Sequence, residues 1–77
     1  MKIYTTFKLP SYFKELQQIN EGEYVISDSC EELKKFPKAK KILLMTPKGY
    51  IEAGKCTADF YAKNLLEAYL WIRMQHW

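Results

Sequence analysis

The C-terminal stretch from Thr57 to Trp77 constrains this chain most, because it reads as one long amphipathic helix with large apolar residues on its wet side. At about 100° per residue, Tyr61, Leu65, Ala68, Tyr69 and Ile72 fall on one broad stripe. Lys63, Asn64, Glu67 and Gln75 fall opposite, and Phe60, Trp71 and Met74 lie among them. A helix that is apolar on nearly all sides yet carries charges has more than one thing to pack against. One side must cover the rest of the fold, and the other is a candidate contact surface.

What the helix covers is set by the remaining elements. With 77 residues there is room for one domain, residues 1–77. Hydrophobic residues make up 48% of the chain and aromatic residues 16%, enough for a core and contrary to the composition of disorder. A core of this size rarely supplies more than about 3–5 kcal/mol net, a thin margin that self-association would widen.

Residues 2–9 alternate as a strand, with Ile3, Thr5, Phe7 and Leu9 on one face, ended by Pro10. Ser11 is placed to cap a short helix through Ile19, stopped by Asn20-Glu21-Gly22. Residues 23–27 read as a second strand. Ser29 followed by Glu32 matches a capping box opening a second helix, with Glu31 and Glu32 at its positive end, Lys34 and Lys35 at its negative end, and Pro37 after it. The run Lys41–Thr46 is almost continuously apolar, as expected of a strand in the middle of a sheet. Thr46-Pro47-Lys48-Gly49 fits a β-turn, so Tyr50–Gly54 is expected to return as an antiparallel strand. Thr57 or Asp59 would cap the last helix. The expected fold is a two-layer α+β domain of order β-α-β-α-β-β-α, with a four-stranded mixed or antiparallel sheet and the long C-terminal helix on one face.

Motifs for catalysis are missing. The single histidine, His76, stands next to the C-terminus, and there is no GxSxG, HExxH or glycine-rich phosphate loop. Cys30 and Cys56 form no CxxC pair and no dense framework. A single bridge between them is possible but not demanded, and the default expectation is reduced, small apolar fillers rather than reactive thiols or ligands of a metal with Asp59 and His76. Neither cofactor nor metal is implied, and no enzyme is expected. The start of the chain lacks the apolar region of a secretory signal, and no run of about 18 apolar residues occurs, so the expected location is cytoplasmic.

Two features point to partners. The aromatic and apolar residues off the core stripe, Phe60, Trp71 and Met74, together with Trp77, form a candidate partner-binding patch, since exposed Trp and Tyr are favoured interface residues that bury much area on contact. Lys34, Lys35, Lys38, Lys40 and Lys41 form a basic run that is either an anion-binding patch or a solubilising border to the apolar strand. The net charge of +3 is a mild excess, and Arg73 is the only arginine, which weighs against base-specific reading of nucleic acid. The reading is a small non-enzymatic protein-binding module whose partner is another protein or a second copy of itself. Small size and lysine bias fit an accessory or inhibitor protein of the kind phages and mobile elements encode, acting in the host cytoplasm. The alternatives are a nucleic-acid-binding module using the basic run, and an interfacial membrane binder using Trp71 and Trp77.

Overall fold

The computed structural model describes residues 1–76. Four strands, β1 (Lys2–Thr5), β2 (Glu23–Ser27), β3 (Lys40–Leu44) and β4 (Phe60–Ala62), form one parallel sheet in the order β1-β2-β3-β4. A 3-10 turn (Ser11–Phe13) and α1 (Lys14–Gln17) lead from β1 to β2, α2 (Cys30–Lys34) from β2 to β3, and α3 (Pro47–Glu52) from β3 to β4. The longest helix, α4 (Leu65–Gln75), follows β4.

The domain thus mixes helices and a four-stranded sheet as expected, but the mixed or antiparallel arrangement is corrected to an all-parallel one. The cause lies at Thr46–Gly49. Thr46 is the N-cap of α3, its hydroxyl oxygen accepting the Gly49 N–H at 3.1 Å, and Pro47 takes the first helical turn, where a missing N–H costs nothing. With a helix in place of the expected return strand, the chain crosses over and comes back parallel. The second correction is at Phe60–Ala62, expected in the last helix. The Asp59 carboxylate accepts the Lys41 N–H at 2.7 Å, and the Asp59 N–H donates to the Lys41 carbonyl at 2.8 Å. These bonds set the register that pairs Ile42 with Phe60 and Leu44 with Ala62. The last helix therefore starts at Leu65 with Asn64 as N-cap, not at Thr57 or Asp59. The first strand stops at Thr5, whose hydroxyl accepts the Phe7 N–H, and the cap position before the 3-10 turn is Pro10 rather than Ser11. Gly22 carries the turn into β2 with φ 102°, a conformation that favours glycine.

Alternation along the strands divides the core in two. Tyr24, Ile26, Ile42, Leu44 and Ala62 face α1 and α4, where they meet Phe13, Leu16, Ala68, Tyr69 and Ile72. Val25 and Leu43 face the other way and meet Leu33 and Ala39, with Phe36 stacked on Tyr4 at 4.1 Å between ring centroids. The Ile42–Leu44 run is buried on both faces because helices cover both sides of an interior strand, which corrects the expected two-layer arrangement to one with helices on both faces of the sheet. All three connections step the same way across the sheet, yet the first runs over the α1–α4 face and the next two over the opposite face. The β1→β2 connection consequently has the opposite hand to the others, where one hand dominates such units generally. The two loops leaving β1 and β2 diverge, and a cleft of about 300 Å³ opens between their carboxyl ends, lined by Thr5, Thr6, Ser27 and Glu32 among others.

Candidate functional site

The outward side of α4 is the candidate interaction surface. Its helix is firmly started: Asn64 Oδ1 accepts the Glu67 N–H at 2.9 Å, and the Glu67 carboxylate returns to the Lys63 N–H at 2.9 Å. This reciprocal pair is a capping box displaced by one residue, and Glu67 also suits the positive end of the helix. Ala68, Tyr69 and Ile72 are buried against the sheet. The Tyr69 hydroxyl donates to Glu15 at 2.9 Å and accepts from Arg73 at 3.2 Å, while Arg73 pairs with Glu15 at 3.5 Å. These contacts fix the rotation of α4 about its axis.

With the inner side so held, Leu66, Leu70 and Met74 form a row at i, i+4, i+8 that points to solvent, exposed by 49%, 46% and 70%. Beside the row, the Trp71 indole lies flat on Phe60, with centroids 5.1 Å apart and planes within 6°. Trp71 also meets Tyr24 edge-on at 6.1 Å, so the aromatic pair is half-buried and braced by the core. Phe60, Glu67, Leu70, Trp71 and Met74 line a shallow, mostly apolar depression of about 270 Å³. A preformed aromatic wall next to exposed aliphatic side chains is the make-up of an interface centre, where little ordering entropy remains to be lost.

The residues expected to form this patch are partly brought together. Phe60, Trp71 and Met74 share the depression, but Phe60 and Trp71 are half-buried against the core rather than exposed as expected, because the indole packs on Tyr24, and Trp77 lies outside the described residues. Leu66 and Leu70 were missed by the sequence reading, although their spacing to Met74 was there to be seen. Tyr61, expected in the core stripe, sits instead on β4, 41% exposed, its hydroxyl accepting the Ala58 N–H.

The lysines of the basic run are dispersed. Lys35 pairs with Glu32 at 2.9 Å, which raises the Lys35 pKa through that hydrogen bond and the charge on Glu32. The Lys41 ammonium donates to the carbonyls of Pro37 and Ala39. Lys34 stands exposed in the last turn of α2. Lys38 and Lys40 line a cleft at the amino ends of the strands, but Glu21 and Glu23 share it, so its field is mixed. In the same cleft the Tyr24 hydroxyl and His76 Nε2 share a hydrogen bond of 2.8 Å, and burial raises the Tyr24 pKa. Among the described residues no group of three or more His, Cys, Asp and Glu is placed to hold a metal.

The cysteines are a correction. Cys30 and Cys56 are joined in a disulfide, with Cα atoms 6.0 Å apart, rather than reduced. Ser29 is the N-cap of α2 by position, yet its side chain makes no cap bond, and the capping box with Glu32 is not formed. The Cys30 N–H at that helix start is taken by the Glu52 carboxylate of α3 at 3.1 Å. Glu52 is buried and also bonds Lys55 at 2.9 Å. The Lys55 hydrogen bond, then the Cys30 N–H, hold its carboxyl below the ordinary value.

Compared with protein-family models, with curated proteins and with solved structures, the chain matches none of them.

Proposed function

We propose that this chain is a small non-enzymatic protein-binding domain that acts by laying the outer side of α4 on a partner surface. The observation that carries the reading is the exposed Leu66–Leu70–Met74 row beside the Phe60–Trp71 stack. Exposed apolar side chains scattered singly need no explanation, but a contiguous row against a braced aromatic wall does. A domain of this size with one such side suits an accessory or inhibitor role, in which occupying a surface is the whole activity. No helix among the described residues is long and apolar enough to cross a membrane.

Leu70→Asp tests the reading without disturbing the core. Sedimentation of the wild type over a range of concentrations reports self-association, and crosslinking from position 70 reports other partners. The reading expects contacts that the Asp variant abolishes. Contacts that survive Leu70→Asp but vanish with Lys38→Glu/Lys40→Glu and with added salt belong to the nucleic-acid alternative. Vesicle binding that quenches or shifts Trp fluorescence belongs to the membrane alternative.

A further inference from the structure

The Cys30–Cys56 disulfide joins the first residue of α2 to the loop between α3 and β4. That loop, residues 53–59, runs directly into Phe60, one half of the aromatic wall described above. Ala53, Cys56 and Ala58 pack against the Val25–Leu33–Leu43 side of the core, and the Ala53 and Lys55 N–H groups donate to the Gly49 and Glu52 carbonyls. Asp59 exchanges two bonds with Lys41, Ala58 N–H donates to Tyr61, and Lys55 is held to Glu52. Beyond it, β4 is only three residues long. The two cysteines are unequally placed: Cys30 is 4% exposed, whereas Cys56 is half-buried at the edge of the core and is the more accessible of the two.

We propose that this disulfide is a thiol-exchange site, through which a dithiol reductant loosens the loop and β4 that seat Phe60 in the aromatic wall of the α4 face. The proposal rests on that face being the working surface. A thiolate of the reductant attacks Cys56 Sγ and forms a mixed disulfide. The electron pair of the broken S–S bond leaves on Cys30 Sγ, which takes up a proton. The resulting buried thiol has the Glu52 carbonyl oxygen 3.1 Å away as its acceptor. The reductant's second thiolate then attacks its own sulfur in the mixed disulfide, releasing Cys56 as a thiol and leaving as a cyclic disulfide. The protein gains two electrons and two protons, and the dithiol loses them.

Magnitude makes this more than a local change. A cross-link spanning 26 residues removes chain entropy from the unfolded state worth a factor of roughly 300 in the folding equilibrium. A core of this size by itself supplies a folded-to-unfolded ratio on the order of 10²–10⁴, to which the cross-link adds. Opening the bond therefore forfeits a factor comparable with what the core supplies, and the loop and β4 are the segments tied most directly to it.

The test uses the full chain, oxidised, and the same chain treated with dithiothreitol, with the thiol count followed by alkylation and intact mass. The expected result is native-state reduction of both cysteines, a fall of about 100-fold or more in the folding ratio by urea titration, and faster amide exchange at 55–62. The variant Cys30→Ala/Cys56→Ala is expected to match the reduced wild type and to ignore dithiothreitol. A bond that resists the dithiol in the folded protein overturns the proposal. So does a reduced protein with the same urea midpoint and the same exchange at 55–62. The functional reading fails separately: Leu70→Asp keeps the disulfide and its effect on stability, and if that variant also keeps every partner contact, it is the α4 face that was wrongly assigned.

Discussion

Gly49→Ala pits two effects of opposite sign against each other. Gly49 lies in the first turn of α3, buried, its N–H donating to Thr46 Oγ1 at 3.1 Å and its carbonyl accepting the Ala53 N–H at 2.8 Å. Helix propensity alone favours alanine here by about 1 kcal/mol. A Cβ at this position, however, would run into the backbone carbonyl of Leu44, the last residue of β3. That carbonyl is pinned: it accepts the Thr46 N–H at 2.9 Å and ends an interior strand whose last three residues are buried. Relief requires shifting α3, and α3 carries Glu52 and the Thr46 cap with it. Overpacking of this kind costs about 1–3 kcal/mol, and more where the obstacle is backbone. The net expectation is destabilisation by about 2 kcal/mol, a large part of a margin of roughly 3–5 kcal/mol, or a melting temperature lower by roughly 8–16 °C. Gly54→Ala is the matched control. Its Cβ would meet only the Ile51 carbonyl oxygen at 4.0 Å, and its φ is not positive, so it should be neutral or stabilising by up to about 1 kcal/mol. Urea titration of the two oxidised variants beside wild type decides the matter. A Gly49→Ala protein as stable as wild type would refute the close approach of α3 to β3.

Capping is expected to matter at α4 and not at α2. Asn64→Ala should lower stability by about 0.5–2 kcal/mol, whereas Ser29→Ala should stay within about 0.5 kcal/mol, both read from denaturation midpoints. Because Glu52 is held below its usual carboxylate value, the stability it adds is present above that value and is lost as pH falls through the lower folded one. Thermal melts across the carboxylate range should show a steeper acid limb for wild type than for Glu52→Gln. Leu70→Asp should leave the melt of the dilute monomer unchanged within about 0.5 kcal/mol while weakening partner or self contact by about 2 kcal/mol or more. Trp71→Ala should destabilise the monomer itself, since the indole is braced by Phe60 and Tyr24; a monomer melt unaffected by that change would mean the stack is not formed in solution.

Patterns local to one element were legible in the chain. The second strand was read at residues 23–27 and is Glu23–Ser27, and the apolar run at Ile42–Leu44 occupies an interior strand. The inner stripe Ala68, Tyr69, Ile72 and the outward place of Met74 followed from period alone, because burial on one side of a helix writes that period into the sequence. Other segments were locally ambiguous. Thr46-Pro47-Lys48-Gly49 is as good a helix start as a β-turn, since proline presets the same φ for both. The choice fell to the helix, in which Gly49 is the residue that fits against the Leu44 carbonyl. Phe60–Ala62 has the composition of either a helix or a strand and became a strand because β3 offered an open edge and Asp59 bonded Lys41. Parallel pairing followed from the α3 crossover, not from any property of the strands. The pairing of Cys30 with Cys56 could not be read from their positions, 26 residues apart; it depends on α3 bringing Glu52 and the following loop onto the start of α2. Periodic burial is recorded residue by residue in the chain, whereas strand direction, disulfide pairing and the aromatic wall on α4 depend on contacts between segments that meet only once the sheet has formed.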